Sequence, residues 1–67
     1  MNKVFFNEFL LKAKLGLNKE SEAMISLDYL LKLLPRNINY INYFLKIKGN
    51  TIESIKLLDE KYGSKFS

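Results

Sequence analysis

The sequence predicts an all-α protein: a small bundle of four short antiparallel helices, arranged as two helical hairpins, in a single domain over residues 1–67. Three observations predict it. Apolar residues recur at three- and four-residue intervals, the spacing of a helix face. Gly16, Pro35, Gly49 and Gly63 cut that pattern into pieces of helical length. Asn, Thr and Glu gather where the pieces begin, as helix starts require.

The elements follow in order. A first helix is expected over Lys3–Leu15, with Gly16 supplying the left-handed residue that ends it. A second is expected over Lys19–Leu34. Asn18 can cap it, Glu20 and Glu22 complement its dipole, and Pro35 stops it. A third spans Ile38–Lys48, capped by Asn37 and closed by Gly49. The fourth spans Thr51–Tyr62. Asn50 with Glu53 three residues on has the form of a capping box, and Gly63 ends the helix. The last four residues are expected to fray.

Two local patterns compete with this reading. Phe44–Lys48 alternates in polarity, and Gly49-Asn50 can form a two-residue turn into Thr51–Ser54, so a β-hairpin is the rival there. The second arm has little β-branched density and runs into the helix-forming Lys56–Lys61, which favours helix. Phe9–Lys14 also parallels Tyr43–Lys48 at an offset of 34, the period of helix–turn–helix tetratricopeptide repeats. Asn42 and Ser54 stand where that family has small packing residues, so the chain is not assigned to it.

Composition narrows the function. A chain of 67 residues buries only about 60% of its unfolded surface and has a thin stability margin. It has no Cys and no His, so disulfides and the usual zinc ligands are absent, and so are the commonest general base and the best nucleophile. Glycines are isolated and form no phosphate-cradling loop. Asp59-Glu60 beside Lys56 and Lys61 has the form of a solvated face with local charge pairs. A bundle this small is expected to lack a ligand pocket of the usual ~300 Å³. These features predict a protein that is not an enzyme and needs no cofactor. No apolar run reaches the ~18 residues of a membrane span. Asn7 and Glu8 interrupt the leader-like Val4-Phe5-Phe6, so a cytoplasmic chain is expected.

The unusual feature is that three helices carry two apolar stripes each. In the second helix Ala23, Met24, Leu27, Leu30, Leu31 and Leu34 form one stripe, and Ile25, Tyr29 and Leu33 a second on nearly the opposite side. In the first helix Phe5, Phe6, Phe9, Leu10, Ala13 and Leu17 read as the core face, and Val4, Leu11 and Leu15 as the outer one. In the third, Ile38, Ile41 and Leu45 oppose Tyr40, Tyr43 and Ile47. The fourth is one-sided, with Ile52, Ile55, Leu58 and Tyr62. Four helices cannot bury all of these stripes, and exposed apolar patches mark interaction surfaces. The expected function is protein–protein interaction, as an adaptor, inhibitor or regulatory subunit. Its contact residues would be Leu11, Leu15, Ile25, Tyr29, Leu33, Tyr40, Tyr43 and Ile47, and its partner another protein chain or a second copy.

The alternative is nucleic-acid binding through a helix-turn-helix-like element around residues 20–48, with Arg36, Asn39, Asn42 and Lys46 toward the ligand. The C-terminal half is the more basic, at +3 against +1 for residues 1–34. Ten of the eleven basic residues are Lys, however, and base and phosphate recognition favours the bidentate fork of Arg. A membrane-surface role for the first helix is disfavoured, because its second apolar stripe breaks up the cationic face that such a role needs.

Overall fold

The computed structural model describes residues 2–64. They form four α-helices: α1 Lys3–Gly16, α2 Glu20–Leu33, α3 Ile38–Lys48 and α4 Ile52–Tyr62. Gly49-Asn50 lies in a helix–helix turn, and no strand occurs among the described residues. The fraying expected of the last four residues lies outside the described residues except at Ser64, which is buried.

Local chemistry sets the ends, in places by other residues than expected. The Asn2 side chain accepts from the Val4 N–H at 2.8 Å and starts α1. Gly16 is the last helical residue, and the left-handed position falls on Asn18, at φ 59°. The Lys19 N–H returns to the Lys14 carbonyl and the Asn18 N–H to that of Leu15, the paired bonds of a Schellman ending. Asn tolerates this conformation because its side chain is short and polar. Asn18 therefore closes α1 and does not cap α2, whose N-cap Lys19 makes no side-chain bond. Asn37 caps α3 as expected, accepting from the N–H groups of Asn39 and Tyr40 at 3.0 and 3.3 Å. At α4 the cap is Thr51, which accepts from the Ser54 N–H at 3.2 Å, in place of the expected Asn50–Glu53 box. Gly63 ends α4 at φ 70°.

The core is built on α2. Ala23, Leu27, Leu30 and Leu31 are all fully buried, and Leu11 of α1, Tyr40, Ile41 and Phe44 of α3, and Leu58 and Tyr62 of α4 close around them. Packing is densest between α1 and α2, with small Ala23 and Ser26 letting the helices approach. The shortest extent of the molecule, 15 Å against 34 and 24 Å, is what two layers of helix backbone ~10 Å apart occupy. The fold has no third layer.

The stripe assignment for α1 is reversed. Leu11, expected on the outer face, is 1% exposed and sits in the core, with Val4 and Leu15 packed beside it. Phe5, Phe6, Phe9 and Leu17, expected inside, are exposed. The narrow stripe wins because α1 touches both α2 and α3 along one side only. On α3 the buried arc is Tyr40, Ile41 and Phe44, which borrows from both expected stripes, and Ile38 is exposed. On α4, Leu58 and Tyr62 are buried while Ile52 is exposed.

Leu27→Ala and Leu30→Ala are each expected to cost ~2–5 kcal/mol in denaturant unfolding, enough to abolish folding in a domain this small. Gly16→Ala is expected to stabilise α1 by about 0.5–1 kcal/mol, because a Cβ there meets nothing within 4 Å and the residue is helical. A loss on Gly16→Ala would restore Gly16 to the capping role that Asn18 fills here.

Candidate interaction surface

The surface is defined by which way α1 and α2 turn. On α1, Leu11 marks the centre of the buried arc. On one flank Glu8 accepts a short hydrogen bond from the Tyr40 hydroxyl of α3. On the other, Lys14 reaches Glu22 of α2 at 3.4 Å. At about 100° per residue, Phe6, Phe9, Ala13 and Leu17 lie on the side opposite Leu11, away from both neighbours.

On α2 the buried arc centres on Leu27. Glu22 turns to α1 on one flank, and Asp28 turns to α4 on the other. Ile25, 74% exposed, lies opposite Leu27, and half-buried Tyr29 and Leu33, 50% exposed, share the outer arc with Glu22. The short turn Leu17–Lys19 makes α1 and α2 antiparallel, so their outer arcs fall on one side of the hairpin. That side is the back of a two-layer slab whose other layer is α3 and α4. Two 14-residue helices ~21 Å long and ~9 Å apart give the face roughly 400 Å². Its exposed apolar side chains are Phe6, Phe9, Leu17, Ile25 and Leu33, with Phe5 at the margin.

Of the residues expected to make contact, Ile25 and Leu33 lie on this face and Tyr29 at its middle. Leu11 and Tyr40 are core residues. Leu15, Tyr43 and Ile47 are half-buried and packed against the core. Sequence reasoning misses Phe6, Phe9 and Leu17 because the aromatic stripe of α1 is the larger of its two and reads as the core face. The available signal was Glu8 and Lys14, polar residues flanking Leu11 that α3 and α2 can satisfy.

A second feature lies between α1 and α3. An open groove of about 400 Å³ is lined by Glu8, Leu11, Lys12, Asn39, Tyr40, Asn42, Tyr43 and Lys46. The expectation that the bundle is too small for such a volume is overturned: the space is a cleft between helices at the surface and not a void in the core. It gathers Asn39, Asn42 and Lys46 of the nucleic-acid alternative and joins them to Lys12, while Arg36 is exposed in the turn before α3.

Two tyrosine–carboxylate bonds tie the layers together. Burial, and then the Glu8 carboxylate, push the Tyr40 hydroxyl up to about 12. Tyr62 donates to Asp28 at 2.7 Å, and burial with that carboxylate pushes its hydroxyl well above the ordinary tyrosine range. Burial pushes the Asp28 carboxyl up. Hydrogen bonds from Tyr62, Lys32 and Lys61 outweigh burial and hold it below its usual value. Lys32 and Lys61 stand 2.9 and 3.3 Å from it. The carboxylates Asp28 and Glu8 are thus occupied in holding the layers. Lys61, expected to pair with its neighbours on α4, instead bonds α2 and lies 5.4 Å from the centre of the Tyr62 ring.

No helix among the described residues is long and apolar enough to cross a membrane. No protein-family model, curated protein or solved structure matches the chain.

These linkages set a pH window. Asp28 contributes stability that is fully present above its ordinary pKa of 3.8 and is lost as pH falls through the lowered folded value. The tyrosines behave in the opposite sense. Their contribution is fully present below pH 10.0 and is lost as pH rises toward about 12 for Tyr40. Tyr62→Phe is expected to cost roughly 1–3 kcal/mol at neutral pH and less in acid, where Asp28 is protonated. Urea titrations from pH 7 down through the acid limb check this, and a loss that stays constant until the parent itself unfolds in acid would mean that the bond to Asp28 is not what Tyr62 contributes.

Proposed function

We propose that this chain is a non-catalytic protein-interaction module whose contact surface is the outer face of the α1–α2 hairpin. The observation that carries the reading is the set of exposed apolar side chains Phe6, Phe9, Leu17, Ile25 and Leu33 on the α1–α2 hairpin, with the Lys14–Glu22 pair between its two helices. Burying one such side chain is worth ~1.5–3 kcal/mol, so a small domain gains by covering the face against another chain. At roughly 400 Å² the face lies in the ~300–600 Å² range of the largest patch on a typical monomer, a patch that is often functional. The chain also lacks His and Cys, and the buried arcs of its helices hold hydrocarbon, tyrosine and the hydroxyls of Ser26 and Ser54. Adaptor, inhibitor or regulatory subunit are the roles that fit, with another protein chain or a second copy as partner.

One observation favours a second reading. Asn39, Asn42, Lys46 and Lys12 share the groove between α1 and α3, a pattern of amides and cations that can meet bases and phosphates. Glu8 lines the same groove and presents negative charge where phosphates would lie, which ranks this reading below the first.

The two are separated by one set of variants. Phe9→Lys with Ile25→Lys is expected to keep the helical circular dichroism of the parent, since both side chains are exposed, and to lose the proteins that the parent retains on affinity purification from its host. Asn42→Ala with Lys46→Ala is expected to leave those partners in place. Retention of the same partners by the Phe9/Ile25 variant would remove the outer face as the contact surface. Sequence-specific DNA or RNA binding that the Asn42/Lys46 variant loses would reverse the ranking.

A further inference from the structure

We infer that the groove between α1 and α3 is a second binding surface, for an extended peptide segment of a protein partner that carries one acidic side chain. The inference goes beyond the outer face of the hairpin and uses none of its residues. On α1, Glu8, Leu11 and Lys12 have the i, i+3, i+4 spacing of one helix stripe. On α3, Asn39, Asn42, Tyr43 and Lys46 have the i, i+3, i+4, i+7 spacing of another. The two stripes line one open space of about 400 Å³.

The one carboxylate of the groove is already engaged. Glu8 stands four residues before Lys12, a spacing at which the two can pair on a helix, but it accepts from the Tyr40 hydroxyl instead. α3 has no acidic residue, so Lys46 finds no ion pair on its own helix. The ammonium groups of Lys12 and Lys46 and the side chains of Asn39, Asn42 and Tyr43 form no hydrogen bond or ion pair with any described residue. Elsewhere Lys14 and Lys19 are held by Glu22, and Lys32 and Lys61 by Asp28.

These groups select the occupant. Two ammonium groups lining one groove repel each other, and a carboxylate between them removes that repulsion. Lys12 and Lys46 less Glu8 leave a net +1, which a single acidic side chain balances. A nucleic-acid strand would instead bring a charge with every nucleotide against Glu8. Asn39 and Asn42 each offer an amide N–H and an amide oxygen, the two functions that an extended peptide backbone presents in return. Glu8 keeps lone pairs beyond the one that Tyr40 uses, and these can accept a backbone N–H. Half-buried Tyr43 adds ring surface and a free hydroxyl. Both lysines are exposed, so the contact is weak and screened by salt, and partners held by the outer face are retained without it.

The test is selection of a phage-displayed random heptapeptide library on the intact chain, followed by nuclear magnetic resonance titration of the isotope-labelled chain with the selected peptide. The expected result is a family with Asp or Glu at one fixed position, whose titration moves the backbone amide signals of Lys12, Tyr43 and Lys46 and weakens as salt rises. Lys12→Gln with Lys46→Gln is expected to weaken binding at least ~10-fold with circular dichroism unchanged. Replacing the peptide's acid by its amide is expected to do the same, and it tests the contact with the protein untouched. No selected family, a family without an acid, or one that moves the signals of the outer face overturns the inference. Single-stranded octathymidylate moving the groove signals at lower concentration than the peptide overturns it in favour of nucleic acid. The Phe9→Lys, Ile25→Lys variant is expected to keep the peptide while losing the partners of the outer face. Loss of the peptide by a folded form of that variant overturns the groove as its site and leaves the outer-face reading standing.

Discussion

The core of this molecule is built on one stripe of α2, where Leu27, Leu30 and Leu31 are removed from solvent. With no cysteine and no histidine, the chain has hydrophobic burial as its main source of stability, and one helix supplies the surface on which α1, α3 and α4 meet. That helix can present only one arc to the second layer. The opposite arcs of α1 and α2 are left outside by geometry, since two layers of short helices enclose a single sheet of core side chains. The same constraint that makes the fold possible at this size also leaves an apolar exterior.

Much of the fold was legible from the chain, and the reasons are local. Asn37 before Ile38 and Pro35 just after α2 act through the residues beside them, so the third helix was read with its observed bounds. What was not legible depended on contacts distant in sequence. The choice between the two stripes of α1 is made by Tyr40 and Glu22, which accept Glu8 and Lys14 as partners and turn Leu11 inward. Phe44, the largest of the most deeply buried side chains, had no place in either expected stripe of α3, because its edge-to-face contact is with Tyr62 of α4. The candidate surface divides in the same way. Ile25 and Leu33 follow from the period of α2 alone, whereas Phe6 and Phe9 could be assigned to it only once the neighbours of α1 were known.

The two tyrosine–carboxylate bonds show how a domain with little apolar surplus fixes its layers. Each joins residues more than thirty positions apart and crosses from one layer to the other, Tyr40 to Glu8 and Tyr62 to Asp28. Leucines on α2 tolerate some sliding of the helices above them, but a phenol bonded to a carboxylate does not. Hydrocarbon supplies the bulk of the attraction here, and these bonds select one register.

The uneven attachment of the four helices has a kinetic consequence. α1 and α2 are neighbours in sequence joined by a tight turn, so their pairing closes a short loop at small entropic cost. α4 is fastened chiefly through Leu58, Tyr62 and the Lys61–Asp28 pair, near the end of the chain. Assembly that begins with the hairpin and finishes with α4 runs down the gradient of contact density. In reverse, α4 is the first helix whose amide protons exchange with solvent, through an opening that leaves the hairpin closed. The native state is therefore graded in rigidity, firm at the hairpin and loosest at the C-terminal helix.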